Sequence, residues 1–376
     1  MCRGLARAGA QVRVVTTNAD LHGTVAVAKR RTEENMEILT RSILPMGQRL
    51  AARYGFAPGL VRTLWIEIAR TDLCVLQGPW TFSTAVGAWI CRWRLRPYVL
   101  CPRGALEELS LCEKAAKKQF FMRWFGSWLI RNATAIQFAS HTEERTSRAA
   151  IGSQRSFVCE NAIDPGPRVM AAPAWLKRRL EIPDDSILVG LAGRVHPRKG
   201  FEIIVPALAR CQKPVHLVSF GANEGDHQTR IEAIAREHGV RDRLHFLGTL
   251  DGTELQKVYA SLDLFVLPSL GESFGNVAIE ALAQGTLVLV SDAVPVGAYV
   301  ERNGFGAVVT GGDSCAWAKA LDQWTSATAV PIDREAMARQ VRNDFDVGVK
   351  GTELLRAYEE LVPCHARLVS SEPSFR

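Results

Sequence analysis

Two glutamates, Glu272 and Glu280, stand eight positions apart in the stretch GESFGNVAIEALAQGTLVLVSD (271–292), on either side of a small-residue turn. Ser273, Phe274, Gly275 and Asn276 lie between a strand predicted over 264–268 and a helix predicted over 276–283. In that order, the N–H groups of the first helical turn face whatever sits beyond the strand's carboxyl end, and an anion is the natural guest. A carboxylate is an acceptor, suited to hydroxyls rather than to phosphate. The pair therefore reads as two grips on polyol groups flanking a phosphate or diphosphate. A glutamate at a helix start can also be a cap or dipole partner. Glu280, among Val277, Ala278, Ile279, Ala281 and Leu282, is a carboxylate in an apolar helix and needs a partner.

A second cluster, GRVHPRKG (193–200), follows one predicted strand and precedes a helix starting near Phe201. Ligands of open α/β sheets bind at such strand ends. Arg194 as a planar fork and Lys199 as a point charge together suit a diphosphate, with Arg198 as a substitute cation and His196 as a loop or wall residue. In the first half, Arg103 is either a contact to donor or acceptor or a structural anchor. His141, following Ser140, reads as a neighbour of a helix cap.

The elements that must position these residues alternate short apolar strands with amphipathic helices, the pattern of parallel sheets covered on both faces. Strands are predicted at 12–16, 36–41, 73–77, 98–101, 135–139 and 157–160, and again at 188–192, 216–219, 244–246, 264–267 and 287–291. The Pro-, Gly- and Ala-rich stretch 165–173 is the expected linker. The expected domains are 1–178, 179–346 and a C-terminal helix and tail, 347–376, with the helix over 349–361 packing back on the first domain. Met1 to Gly9 reads as the later part of a helix. A doubly wound domain normally opens with a strand and a glycine-rich turn, so the first domain is expected to lack its first strand.

The 376 residues, 47% hydrophobic and 23% charged, describe globular domains of ordinary size. Without a spanning apolar run or a secretory signal at the start, a cytoplasmic protein is expected. Nine scattered cysteines show neither metal-ligand nor disulfide spacing, so reduced thiols and no metal are expected. The net charge of +7 hides an asymmetry: residues 1–180 hold 27 Lys+Arg against 13 Asp+Glu, leaving 19 against 26 for the remainder. No recognition motif for nucleic acid accompanies the basic half. An anionic membrane surface is the other candidate, because Arg92, Arg94 and Arg96 alternate with Trp93 and Leu95, and Lys114, Lys117, Lys118 and Arg123 precede an aromatic-rich helix containing Trp124, Phe125 and Trp128. An ordinary solvated basic face would carry the same charges.

Taken together, these motifs resemble glycosyltransferase family 4, retaining nucleotide-sugar-dependent enzymes of the GT-B fold, over nearly the whole chain. Gly193, Arg194, Lys199 and Gly200 match that family's G-R-x(4)-K-G loop. Glu272 and Glu280 match its E-x(7)-E motif, with Phe274 and Gly275 in place. HFLG (245–248), YASLDLFVLPS (259–269) and 285–292 also match, although Leu287 stands where members usually have Pro. CPRGAL (101–106) and Lys117-Lys118 look like a branch that makes surface polysaccharides. NAID (161–164) looks like the family's N-G-I-D, with Ala162 replacing glycine.

The resemblance implies two doubly wound Rossmann-like domains facing a cleft, with a UDP- or GDP-sugar as donor and a lipid-linked or polysaccharide acceptor at the inner membrane face. It implies that Arg194 and Lys199 neutralise the leaving diphosphate and that Glu280 binds the ribose hydroxyls. Glu272 and the backbone of Phe274, Gly275 and Asn276 would hold the donor sugar, with Gly193 in the donor loop. Arg103 would lie on the acceptor side. The family's glycine-rich loop and first-domain histidine have no equivalent here. That departure keeps open a non-catalytic nucleotide-sugar-binding relative and a sugar-nucleotide epimerase.

Overall fold

The computed structural model describes residues 1–17, 30–33, 35–42, 56–112, 120–170, 173–223, 225–310, 312–326 and 332–362. Lys114, Lys117 and Lys118, residues 171–172 of the expected linker, and the tail from Pro363 fall outside these residues. The chain forms two compact units, Met1–Ala162 with Val347–Arg376, and Ile163–Asp346.

The first unit contains β1 (Val12–Thr17), β2 (Arg30–Glu33), β3 (Met36–Arg41), β4 (Cys74–Gln77), β5 (Tyr98–Cys101), β6 (Ala135–Phe138) and β7 (Ser156–Val158). Strands β4 to β7 pair in parallel in sequence order. β1 pairs in parallel with β3, whose other edge takes β2 antiparallel. β2 is a strand that sequence pattern did not predict: RRTE has no apolar alternation, so only backbone pairing with β3 declares it. The two sheets share their cores. Val15 of β1 packs with Leu60, Ile90, Leu100 and Phe138, whereas Val12 packs on the opposite face with Val99, Cys101, Ala135 and Tyr358. Thr81 caps the helix Phe82–Trp93 by accepting from the Thr84 N–H at 3.3 Å.

The second unit contains β8 (Ile187–Ala192), β9 (Val215–Phe220), β10 (Leu244–Phe246), β11 (Leu264–Leu267), β12 (Val288–Ser291) and β13 (Gly306–Val309). All six strands are parallel, in the order β10-β9-β8-β11-β12-β13. Every residue of β8, β9, β11 and β12 is buried, as expected of strands covered on both faces. β13 has no counterpart among the predicted strands. Its four residues, GAVV, are too few to carry a period. Strand order reverses between β8 and β11, the place in an open α/β sheet where ligands bind.

The division between units falls at 162/163 rather than at the expected 178/179, because the intervening segment is held by the second unit. The Gln284 side-chain amide donates to the carbonyls of Pro165 and Pro167 at 3.0 and 3.3 Å, and Arg342 Nη1 donates to the Gly166 carbonyl at 2.8 Å. Trp175 lies under Lys257 Nζ, 4.1 Å from its ring centroid. The last helix, Val347–Glu359, belongs to the first unit. It crosses the helix Cys2–Arg7 with backbones in contact: a Cβ on Gly351 would lie 2.2 Å from the Gly4 carbonyl carbon. Leu354 and Tyr358 then enter the core, and Tyr358 Oη donates to Gln137 Oε1 at 2.5 Å.

Candidate functional site

The loops after β8 and β11 meet at the reversal of strand order. Gly200 makes this approach close, since its φ of +74° suits glycine and a Cβ would lie 2.0 Å from the Pro268 carbonyl oxygen. His196 Nδ1 accepts from the Arg198 N–H at 3.2 Å and so caps the single turn Pro197–Lys199. Leu270 N–H donates to the Arg198 carbonyl at 2.9 Å and ties the loops together. Across that tie, Lys199 Nζ donates to Glu272 Oε1 at 2.5 Å, and Ser269 Oγ donates to the same oxygen at 2.9 Å. Both charged side chains are 20% exposed, so the pair is largely desolvated but not sealed from a ligand. Arg194 is exposed at the start of the first loop. Gly193 closes the end of β8, its N–H donating to the Phe220 carbonyl at 2.9 Å, and a Cβ there would approach Lys199 Cε to 3.0 Å.

The helix Asn276–Ala283 starts at Gly275, whose φ of +108° puts the chain where other residues are strained. Phe274 turns inward and packs edge-on against Phe345, centroids 5.8 Å apart, leaving its backbone rather than its ring near the turn's outer side. Asn276 is exposed, and no side chain caps this helix. One face of the helix is wholly buried, and Glu280 finds the partner that such a setting demands in Tyr259, whose Oη donates to Glu280 Oε2 at 3.0 Å. Burial pushes the Glu280 carboxyl above its ordinary value, and the Tyr259 hydrogen bond opposes that shift. Burial and the adjacent carboxylate push the Tyr259 phenol well above its ordinary value, so it remains a donor. Glu280 thus bonds neither Lys199 nor Glu272. It stands as a separate acceptor on a helix that begins in the same turn.

Arg103 lies in the first unit, at the carboxyl edge of the four-stranded sheet. Its Nε donates to Gln77 Oε1 at 3.0 Å and its Nη1 to Asn161 Oδ1 at 2.6 Å, joining residues that end or follow β4, β5 and β7. Glu143 underpins this turn: fully buried, it accepts from the N–H groups of Ala139 at 2.7 Å and Gly104 at 2.5 Å. Burial raises its carboxyl pKa, while those two bonds and the Arg103 charge act against the rise.

Sequence reasoning did not single out Tyr259, Ser269 or Glu143. The partners of Tyr259 and Ser269 lie 21 and 3 positions away, and those of Glu143 lie 4 and 39. Ser269, three residues before Glu272 at the end of a predicted strand, carried a local signal, as did Glu143 in the helix-capping spacing Ser140-x-x-Glu143.

Residues 1–159 match the glycosyl transferase 4-like domain, and residues 175–344 match glycosyl transferases group 1. A D-inositol 3-phosphate glycosyltransferase of Stackebrandtia nassauensis is 34% identical over 169 residues, which is 42% of this chain and 37% of that protein. The chain thus spans well under two thirds of the length of the curated relatives it matches first. A 2-deoxystreptamine glucosyltransferase of Streptomyces kanamyceticus is 28% identical over 80% of this chain and 79% of its own length. Among solved structures, sucrose-phosphate synthase of Thermosynechococcus elongatus superposes with a TM-score of 0.73 at 21% identity, covering 96% of this chain and 91% of its own. Anabaena HepE in complex with UDP-glucose superposes at 0.70 and 21%, covering 87% of each chain. Each of the two α/β units is thus similar to its own glycosyltransferase domain model, and the chain has the two-domain Rossmann-like GT-B fold of the structures it resembles.

Proposed function

We propose that this chain moves a glycosyl group from a UDP- or GDP-sugar to a hydroxyl of a lipid-linked or polysaccharide acceptor on the cytoplasmic face of a membrane, with retention at the anomeric carbon. The observation that carries the reading is the Lys199–Glu272 pair at the reversal of strand order, with Glu280 on the helix that follows. The bond from the anomeric carbon to the diphosphate oxygen breaks, and a bond to the acceptor oxygen forms on the same face. The acceptor proton passes to the departing diphosphate. Positive charge builds on the sugar and negative charge on the leaving group, so the main protein contribution is to stabilise the latter. Arg194 and Lys199 supply that charge, Glu272 and the backbone of 274–276 orient the sugar hydroxyls, and Glu280, oriented by Tyr259, accepts from the ribose. The scheme requires no protein nucleophile.

The acceptor class rests on the first-half motifs and on the basic balance of residues 1–180. A second reading, a small free polyol acceptor, draws on the names of the inositol-phosphate and deoxystreptamine relatives. Nucleotide release from a panel of UDP- and GDP-sugars, with membrane extracts or soluble polyols as acceptors, decides between them. Absence of release and of donor binding across the panel would refute the transfer. Formation of an epimeric nucleotide sugar without acceptor would replace it with epimerisation.

A further inference from the structure

The first unit carries a surface that the transfer scheme does not use. Of the twelve large apolar side chains most exposed among the described residues, seven fall between Phe56 and Leu95. They are therefore concentrated rather than scattered as on an ordinary surface. Val61 and Trp65 are one turn apart on the helix Gly59–Ala69, and Trp89 and Trp93 are one turn apart on the helix Phe82–Trp93, which packs beside it. Trp89 and Trp93 stack on each other at 5.8 Å while remaining 52% and 68% exposed, and Leu95 is 81% exposed. Their stacking is with one another, so it hides little of either ring from water.

The charge of the same surface is one-sided. Residues 56–96 contain five arginines, Arg62, Arg70, Arg92, Arg94 and Arg96, against Glu67 and Asp72. Glu67 is turned to Arg13 of β1, 3.6 Å away. Between the two helices, Trp65, Trp93, Arg94, Arg96 and Ala69 line a hollow of about 290 Å³. Arg94 lies 4.2 Å over the Trp65 ring, and its Nε is buried there without a hydrogen-bond partner. Arg96 Nη2 is held by the Ala69 carbonyl at 2.9 Å. Arg94 and Arg96, half-buried cations lining a hollow rimmed by indole rings, suit an anionic group with an apolar body attached. Tryptophan suits the boundary between headgroups and acyl chains, and clustered arginines suit anionic lipid.

We infer that the outer face of the helices Gly59–Ala69 and Phe82–Trp93 docks on an anionic bilayer, with Trp89, Trp93 and Leu95 entering the interface and the Arg94–Arg96 hollow taking a lipid phosphate. This deepens the reading of a membrane-borne acceptor by naming the surface that reaches it. Its test is independent of transfer.

The protein is sedimented with vesicles of phosphatidylcholine alone and of phosphatidylcholine mixed with phosphatidylglycerol, with tryptophan emission recorded in parallel. Binding is expected only to the mixed vesicles, with a blue shift, and weakening as salt rises. The Trp89→Ala/Trp93→Ala double variant, altered only at exposed side chains, should bind at least tenfold more weakly with an unchanged melting temperature and unchanged nucleotide affinity. Arg94→Gln should lose the preference for the anionic lipid. Wild-type protein that ignores both vesicles, or a double variant that binds like wild type, overturns the proposal. So does a dimer in light scattering that the double variant converts to monomer, which would assign the face to a second copy of this chain. Nucleotide binding measured on the same samples separates failure of membrane docking from failure of the transfer reading.

Discussion

Replacing Glu272 with glutamine should strengthen binding of the bare nucleotide while erasing part of the preference for the nucleotide sugar. Lys199 Nζ rests on Glu272 Oε1 at 2.5 Å, so a diphosphate that recruits Lys199 must first draw it off that carboxylate. Side chains 20% exposed place the pair between fully exposed ion pairs and buried ones. Its coupling is then about 1 kcal/mol, toward the upper end of exposed pairs and well below the cost of breaking a buried one. Removing the carboxylate charge frees Lys199 and should tighten the nucleoside diphosphate by about fivefold. Glutamine keeps an acceptor for a sugar hydroxyl but loses the charge-assisted part of that bond, so the advantage of the sugar-bearing donor should shrink by about as much. Lys199→Met is the contrasting variant: it removes the cation itself and should cost about 2 to 4 kcal/mol in the transfer barrier. Calorimetric titration of nucleotide and nucleotide sugar into the three proteins reads the binding effects, and the rate of nucleotide release reads the barrier. If Glu272→Gln weakens the bare nucleotide as Lys199→Met does, the two residues act as one nucleotide grip and the competition argument fails.

Tyr259→Phe should remove the hydrogen bond that Tyr259 donates to Glu280, destabilise the protein by about 1 to 2 kcal/mol in denaturant melts and weaken nucleotide binding; unchanged stability and affinity would contradict this. The stacked pair His216 and His245 share a hydrogen bond at 3.1 Å, and burial lowers both pKa values, that of His245 from 6.5 to about 4. Because the folded values lie below the unfolded ones, the unfolded chain takes up more protons as pH falls below 6.5, so stability should decline from about pH 6.5 towards about pH 4. Urea melts at pH 7 and pH 5 should show the decline, His245→Gln should flatten it, and parallel profiles for the two proteins would refute the assignment. Gly351→Val should push the last helix off the helix Cys2–Arg7, raising protease cleavage near Val347 without altering nucleotide binding by the second unit; unchanged cleavage would show that the Gly4 contact can relax.

What could be read from the residues was what depends on local order. The strands Leu244–Phe246 and Leu264–Leu267 and the helix Asn276–Ala283 have the bounds that their apolar runs and flanking turns indicate. The positions of Lys199 and Glu272 just beyond two strands were legible for the same reason. Their contact was not, because it joins residues 73 positions apart and requires β8 and β11 to be neighbours. Tyr259 is similar: on the helix Gly252–Ser261 it reads as one more core aromatic, and only the packing of that helix against its successor makes it the donor to Glu280.

The sequence by itself determined the fold class, the candidate site loops and the cationic and carboxylate types available there, because period, turn chemistry and residue type are properties of short stretches. Tertiary structure decided which charges meet, which carboxylate is paired by a lysine and which by a phenol, and where the first unit ends. It also decided that Trp65, Trp89 and Trp93 come together on one face. Those outcomes depend on strand order and helix packing, which bring together residues whose separation along the chain says nothing about their separation in space.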